Sequence, residues 1–150
     1  MLVATPKRFY EQQRLYFKED GLRNSISGLK VALFGGTSAI GTYFGGEIGQ
    51  IGSGMVLPHR ALGDMWDARM KELKVTADMG NQTLVRLTDM TNPKECEVPM
   101  MNCNTVVSCI GSNIFAQTEK EFEDSNIRVP VAIAKAVKAN PQIKRFIMLS

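Results

Sequence analysis

The sequence predicts an α/β fold, a doubly wound parallel sheet with helices on both faces, from three observations. Short apolar runs recur along the chain, and turn-rich or helical stretches separate them. The first run, Val31 to Phe34, stops at a pair of glycines. Beyond the glycines, apolar residues recur every fourth position at Ile40, Phe44 and Ile48, which is a helical period. Strands that alternate with helices form a parallel sheet, and right-handed crossovers favour the strand order 3-2-1-4-5.

Five strands are predicted, and the second is expected to end at its proline, because proline cannot donate to a sheet ladder. The fourth is a continuous apolar run, as expected for a strand buried on both sides. In chain order the strands are Lys30–Phe34, Met55–Pro58, Thr83–Leu87, Thr105–Ile110 and Arg145–Leu149.

Three helices are predicted between these strands: Ala39–Gly49, a charge-rich stretch at Met65–Leu73, and a long amphipathic helix at Phe122–Ala139 that Pro141 stops. A dinucleotide-binding domain normally continues past its fifth strand. We therefore expect either a longer protein or a partner that covers the exposed sheet edge. The apolar face of the long helix is predicted to comprise Ile127, Val131, Ala134 and Val137.

Residues 1–28 differ from the rest, since basic and aromatic residues alternate there without a clear period. They are predicted to form an arm that lies on a partner, with one Rossmann-like domain at residues 29–150. A mitochondrial presequence is the alternative, but Glu11, Glu19 and Asp20 count against it, because such peptides contain few acidic residues.

Composition excludes several classes of function. With 44% hydrophobic and 22% charged residues, the chain is typical of a globular protein. A net charge of +3, without a basic cluster rich in aromatics, argues against nucleic acid. The cysteines Cys96, Cys103 and Cys109 lack zinc-site spacing and suit a reducing compartment. A single histidine excludes a multi-histidine metal site.

The glycine turn after the first strand is the candidate phosphate loop, because the unpaired amides of a helix N-terminus and the helix dipole attract anions. Gly35 is expected to allow the tight turn and Gly41 the close approach of helix to strand. Ser38 replaces the usual middle glycine, so its side chain takes room but adds a hydroxyl donor. A purely structural turn is the alternative. The predicted nucleotide-binding residues here are Gly35, Gly36, Thr37, Ser38, Ala39, Ile40 and Gly41.

Arg60 and Asp89 follow the second and third strands. An arginine at the position of Arg60 suits the 2′-phosphate of NADP, where an acid would select NAD, although a solvated arginine is also common there. Asp89 is a candidate for the adenine amine, and equally for capping the next turn. His59 is expected to be incidental.

Gly111 and Ser112 follow the fourth strand, where the middle of a bound dinucleotide would pass. Asn126 lies beside the apolar stripe of the long helix and is expected to make a buried hydrogen bond. The chain contains no Tyr-x-x-x-Lys pair and so shows no acid/base apparatus of its own.

Several segments together resemble the atypical short-chain dehydrogenase/reductase family, and within it the nucleotide-binding accessory subunits of mitochondrial complex I. The long-helix block, Phe122-Glu-Asp-Ser-Asn-Ile-Arg-Val-Pro-Val-Ala-Ile-Ala134, is the most specific, and Arg145-Phe-Ile-Met-Leu-Ser150 accompanies it. Gly21–Gly28, Val56–Arg60 and the residues from Leu73 to Asp89 are similar as well. The resemblance covers about residues 21–150.

The resemblance implies a non-catalytic subunit that binds NADPH as a structural cofactor. It further implies a place on the matrix side of the inner membrane, near the junction with the membrane arm, among other complex I subunits. Carried over by position, Gly35, Ser38, Gly41, Arg60 and Asp89 would line the cofactor; the chain departs from the family at Ser38, where glycine is expected.

Two alternatives stay open at this point. The first alternative is that the chain is the front part of an independent NADP-dependent reductase or epimerase whose catalytic half lies beyond residue 150. It is also compatible with a degenerate Rossmann-like scaffold whose loop holds no nucleotide. A second chain that completes the sheet is a further expected partner.

Overall fold

The computed structural model describes residues 25–60, 81–112 and 118–149, and within them five parallel strands form one sheet. The order across the sheet is β3-β2-β1-β4-β5, which confirms the predicted doubly wound arrangement. In chain order the strands are β1 (Lys30–Phe34), β2 (Gly54–His59), β3 (Asn81–Arg86), β4 (Thr105–Ser108) and β5 (Arg145–Met148).

The register places the carboxyl ends of β1 and β4 side by side. Phe34, the last residue of β1, is opposite Ser108, the last residue of β4. The Cys109 amide then donates to the Phe34 carbonyl at 2.8 Å. On its other edge β1 pairs with β2. The strand order therefore reverses between β1 and β4, and ligands of open parallel sheets bind at such a switch point, outside the carboxyl ends.

Helices cover both faces of the sheet. The first, α1 (Ala39–Gln50), packs Phe44 and Ile48 against one face. The second, α2 (Pro93–Glu97), continues into a 3₁₀ turn (Val98–Met100) and lies on the opposite face. The last is a continuous rod on that same face, which comprises α3 (Glu119–Glu123), a π-helical turn (Asp124–Arg128) and α4 (Val129–Ala139).

β2 continues through Pro58, so the prediction that this proline ends the strand is wrong. Pro58 is opposite Val85 of β3. The Gly54 amide donates toward β1, and since amides alternate between the two edges of a strand, the Pro58 nitrogen also faces β1. Pairing with β1 stops at Val56, so the missing N–H of proline removes no ladder bond. The other strand ends lie within two residues of the prediction.

The long helix buries a different face from the predicted one. Ile127, Val131 and Ala134 are exposed, and only Val137 of the predicted face packs partly against the core. Nearly every side chain between positions 129 and 137 is apolar, so periodicity alone could not select the face, and the π-helical turn also shifts the phase of the residues before it. The residues that α4 buries are Val129, Ala132, Ile133 and Ala136.

The helical segment between β3 and β4 was not predicted. Its first helix is short, and five residues are too few to show a helical period. Its start nevertheless follows an ordinary signal, because the Asn92 side chain accepts the Lys94 amide at 3.1 Å and Pro93 occupies the first turn.

Some expectations lie outside the described residues: the helix at 65–73, and residues 1–24 of the arm. Of the remaining arm residues, Ile26 donates its amide to the Gly52 carbonyl at 2.8 Å, and Ser27 Oγ lies 2.7 Å from Ser53 Oγ. The boundary between residues 28 and 29 stays a prediction. In the three described ranges, no helix has the length and apolar character needed to span a bilayer.

Candidate functional site

The loop between β1 and α1 is held closed by the Ser38 side chain. Ser38 Oγ donates to the Gly35 carbonyl at 2.8 Å and accepts the Gly41 amide at 3.0 Å, which makes Ser38 the N-cap of α1. Its backbone is extended, with φ of −76°, so the position does not require glycine. The hydroxyl expected to be a donor for the ligand is therefore already donated within the loop.

Two glycines of this loop tolerate no side chain. A Cβ on Gly41 would lie 2.0 Å from the Gly35 carbonyl oxygen. With any residue other than glycine at position 41, α1 could not approach the end of β1 this closely. Gly35 has φ of +77°, a conformation that L side chains rarely adopt, and its Cβ would lie 2.8 Å from the Cys109 carbonyl. The predicted roles of Gly35 in the turn and Gly41 in close packing are thus confirmed.

The middle of the loop, at Gly36, is in contact with β2 on one side and α1 on the other. Gly36 is buried, and a Cβ there would lie 2.9 Å from Leu57 Cδ2 of β2. Thr42 of α1 donates its hydroxyl to the Gly36 carbonyl at 3.1 Å. Thr37, the next residue, is half-buried. The loop is therefore a preformed element of the fold.

The first turn of α1 presents backbone amides at the protein surface. The amides of Ala39 and Ile40 have no acceptor within the helix, because the carbonyls four residues earlier belong to the loop. Both residues are exposed, and Ile40 retains 62% of its accessible surface. These donors and the positive end of the helix dipole favour an anion at this position.

Arg60 follows the carboxyl end of β2 and is exposed. Its neighbour His59 is half-buried, and burial, followed by the nearby Arg86 guanidinium, lowers the pKa of the imidazole below its usual value of 6.5. His59 is consequently uncharged at neutral pH. The positively charged side chain at the carboxyl end of β2 is therefore that of Arg60, not that of His59.

Asp89 caps the turn after β3, one of the two roles considered for it. Its Oδ1 accepts the Thr91 amide at 2.8 Å and the Thr91 hydroxyl at 2.6 Å. The Glu95 carboxylate accepts the amides of Thr88 and Asp89, each at 2.9 Å. Asp89 is exposed at the same edge of the sheet as the glycine loop.

The segment after β4 is more open than the glycine loop. Gly111 is exposed, and the nearest atom to a Cβ added there is Asn126 Oδ1 at 3.9 Å. Asn126 is exposed rather than buried, which corrects the expectation for it. Its Oδ1 accepts the Ser112 amide at 3.4 Å, and its amide donates to the Phe122 carbonyl at 2.9 Å.

Two serine hydroxyls at this end of β4 are buried without a hydrogen-bond partner in the described part of the chain, Ser108 Oγ and Ser112 Oγ. A buried polar atom without a partner is costly, so each is a position where a ligand or water would be stabilised. Ser112 was anticipated from its place after β4. Ser108 was missed, although a serine inside an apolar strand is a visible signal.

Cys109 joins the loops after β1 and β4. Its carbonyl lies against Gly35 and is 3.5 Å from Ser38 Oγ, and burial raises the pKa of its thiol above 9.0. The structure thus brings residues 35–41 and the β4 end into contact. Among the described residues there is no cluster of histidine, cysteine or acidic side chains that could hold a metal ion.

Comparison with known proteins identifies sequence relatives over most of this chain. It is 30% identical over 130 residues to "NADH dehydrogenase [ubiquinone] 1 alpha subcomplex subunit 9, mitochondrial" of Mus musculus, which covers 87% of this chain and 33% of that protein. The Arabidopsis thaliana protein of the same name is 28% identical over 133 residues, with 89% and 32% covered. The chain thus spans about a third of the length of these relatives. No protein-family profile matches it.

Solved structures share the fold at low identity. A uronate dehydrogenase from Agrobacterium tumefaciens is 14% identical with a TM-score of 0.60, which covers 81% of this chain and 40% of that one. A UDP-glucose-4-epimerase from Stenotrophomonas maltophila, solved with bound NAD, is 18% identical with a TM-score of 0.62, covering 80% and 36%. The Rossmann-like fold is therefore confirmed. So is the resemblance to the complex I accessory subunits, whose members are this chain's homologues.

Proposed function

We propose that this chain is a non-catalytic, NADPH-binding accessory subunit of mitochondrial NADH:ubiquinone oxidoreductase. The homology to alpha subcomplex subunit 9 proteins over 87% of the chain is the observation that carries the proposal. The nucleotide part is supported by the loop from Gly35 to Gly41, which is preformed and exposes the first residues of α1, Ala39 and Ile40, at the surface. The NAD bound to the epimerase of the same fold supports the class of ligand.

The pyrophosphate is proposed to bind the amides of Ala39 and Ile40. Because Ala39 and Ile40 are exposed and Ser38 Oγ is turned inward to the Gly35 carbonyl, the backbone of the first turn stays accessible. The serine therefore does not exclude the nucleotide by its hydroxyl. A nicotinamide dinucleotide supplies hydride-transfer chemistry when bound, but the role proposed here is structural.

The remaining parts of the nucleotide, which are the 2′-phosphate, the adenine and the middle of the molecule, are proposed to lie at the carboxyl ends of β2, β3 and β4. Arg60 suits a 2′-phosphate, since guanidinium binds phosphate through several donors in a plane, and this favours NADPH over NADH. Asp89 has one carboxylate oxygen engaged with Thr91, which leaves the second to accept from the adenine amine. Gly111 leaves room for the middle of the nucleotide, and Ser112 offers an unpartnered hydroxyl.

A bound nucleotide would stabilise the folded chain. A ligand that binds only the native state adds about 4 kcal/mol at a thousandfold excess over its dissociation constant. Stabilisation, rather than turnover, is the effect proposed for the bound nucleotide.

The proposed partners are other complex I subunits, on the matrix side of the mitochondrial inner membrane, near the junction with the membrane arm. The membrane association would be peripheral, through the complex. β5 is an edge strand with exposed Ile147 and Met148, and a second chain that completes the sheet there is part of the proposal. Nucleic acid is not among the expected partners.

The decisive experiment is mass spectrometry of the nucleotide released when the natively purified assembly that contains this chain is denatured. One NADPH per chain is expected. Arg60→Ala should deplete NADPH, whereas Arg145→Ala should not, because Arg145 opens β5 at the opposite, amino end of the sheet. Equal retention of NADPH by both variants would contradict the role of Arg60.

The same preparation separates the alternatives. An assembly that carries the chain but no nucleotide would favour the degenerate scaffold. A chain that never migrates with a large membrane complex, and that is joined to a segment with a Tyr-x-x-x-Lys pair, would favour an independent NADP-dependent reductase or epimerase.

A further inference from the structure

Arg86, the last residue of β3, is an exposed cation with no role in the nucleotide site described above. In the register of the sheet it is directly opposite His59, the last residue of β2. Two positions earlier on the same strands, Leu57 and Leu84 are opposite each other and pack on the side of the sheet that α1 covers. Because side chains alternate between the two faces of a strand, His59 and Arg86 extend from that same side.

The glycine loop lies on this side of the sheet as well. A Cβ on Gly36 would be 2.9 Å from Leu57 Cδ2, so the loop meets β2 at this leucine. His59 is two residues, about 7 Å, further along β2, and Arg86 is one strand further out, about 5 Å across the sheet. The loop, His59 and Arg86 therefore follow one another along the carboxyl edge. A dinucleotide with its pyrophosphate on the first turn of α1 extends its adenosine half along this edge.

The side chains of His59 and Arg86 are also neighbours electrostatically. Burial, followed by the Arg86 guanidinium, lowers the pKa of the His59 imidazole below 6.5. The imidazole is therefore uncharged at neutral pH. The charged groups at the ends of these two strands are Arg86 and Arg60, which directly follows His59 in the chain.

The acidic side chains that follow β3 are already bonded to the backbone of their own turn. Asp89 Oδ1 accepts the Thr91 amide, and Glu95 Oε2 accepts the amides of residues 88 and 89. Within the described ranges, no ion pair joins Arg60 or Arg86 to an acidic residue. Like charges on neighbouring strands repel each other, so an anion bound between the two arginines would relieve this repulsion.

We propose that Arg86 and Arg60 together bind the 2′-phosphate of NADPH, with one guanidinium from each of two neighbouring strands. The inference rests on the proposed nucleotide binding and adds a residue that determines specificity. The Cα atoms of the two arginines are roughly 6 Å apart, so both long side chains can reach one phosphate. Guanidinium binds phosphate oxygens through paired donors. NADH lacks this phosphate and leaves the two positive charges uncompensated, which disfavours it.

Isothermal titration calorimetry of the full chain with NADPH and with NADH tests the proposal. The parent should bind NADPH more tightly, and Arg86→Ala should reduce the ratio of the two affinities by about tenfold or more. The affinity for NADH should stay the same or rise in this variant, because a repelling charge is removed. The matched control is Arg145→Ala, an exposed arginine at the amino end of β5, which should keep the parent ratio.

Two outcomes separate this proposal from the proposed function. A chain that binds neither NADPH nor NADH would overturn both. A chain that binds NADPH with the full preference in Arg86→Ala, but loses the preference in Arg60→Ala, would keep the nucleotide site and overturn the role of Arg86.

Thermal melts distinguish ligand binding from a structural role of the arginine. Arg86 is exposed and unpaired with any described acid, so Arg86→Ala without nucleotide should melt at the parent temperature or slightly above it. The increase in melting temperature on adding NADPH should be smaller than in the parent. Arg86→Lys should keep part of the increase, because lysine supplies the charge without the paired donors. A lower melting temperature without nucleotide, together with an unchanged NADPH effect, would mean that Arg86 only stabilises the fold.

Discussion

The loops after β1 and β4 emerge side by side at the switch point of the sheet, yet they are built differently. The loop after β1 is closed by the hydrogen bonds of Ser38 to Gly35 and Gly41, and by contacts that exclude any side chain at Gly41. The loop after β4 places Gly111 in open surroundings and leaves the Ser112 hydroxyl without a partner. One loop is determined by the protein alone, and the other has groups available for a ligand.

The difference predicts that substitutions in the two loops affect the stability of the fold and the proposed ligand binding unequally. In the closed loop, a substitution acts on the folded chain whether or not a ligand is present. In the open loop, a substitution should act mainly through the ligand. The following substitutions test this contrast, in order of decreasing expected effect on stability.

Gly41→Ala should be the most damaging. The added methyl would lie 2.0 Å from the Gly35 carbonyl oxygen, and backbone on both sides cannot yield, so we expect a loss of about 3 kcal/mol or more in chemical denaturation. Gly45→Ala is the control in the same helix, where the methyl would meet only Leu33 Cδ2 at 3.4 Å. There the gain in helix propensity, up to about 1 kcal/mol, should leave stability equal or higher. Similar losses in both variants would refute the close-approach argument.

Gly35→Ala should rank second, since it combines backbone strain with a clash. At φ of +77° the strain is about 1–2 kcal/mol, and the contact of 2.8 Å with the Cys109 carbonyl adds to it. Gly28→Ala isolates the strain, because Gly28 has φ of +75° with no atom within 4 Å of the added methyl. The excess loss for Gly35→Ala, measured by urea unfolding, reports the contact between the loops. No excess would mean that the β4 end moves freely.

Ser38→Ala should cost about 1 kcal/mol, the usual value of a lost N-cap. Ser38→Gly should cost only a few tenths and should keep NADPH, because the inward-turned hydroxyl is not proposed to contact the nucleotide. Thermal melts with and without added NADPH measure both effects. Loss of nucleotide in Ser38→Gly at unchanged stability would show that the hydroxyl binds the ligand directly.

Gly111→Ala should change stability least, by less than about 0.5 kcal/mol, since its methyl would meet only Asn126 Oδ1 at 3.9 Å. It should nevertheless lower the NADPH content measured by mass spectrometry, because the methyl would occupy the proposed path of the nucleotide. Full NADPH content in this variant would remove Gly111 from the proposed site.

The geometry of the glycine loop in the candidate site could be predicted locally because its signals are short-range. A glycine pair after an apolar run, followed by a helical period, specifies strand, turn and helix within a dozen residues, and chirality of the crossovers then orders the strands. The loop from Gly35 to Gly41 and the order of the sheet follow from these signals. The role of Asp89 could not be predicted from the sequence, because turn capping and adenine binding both require a carboxylate at this position.

Tertiary contacts determined the features for which the local sequence pattern allowed more than one outcome. Pro58 stays within β2 because the neighbouring strand has already stopped pairing, which no residue of β2 reveals. The inner side of α4 is chosen by the sheet and α2, since apolar residues occur on both sides of the helix. The Ser38 hydroxyl donates to the Gly35 carbonyl and accepts the Gly41 amide because the turn brings these backbone atoms together. Sequence periodicity specifies which elements form, whereas burial and hydrogen-bond partners depend on which elements meet.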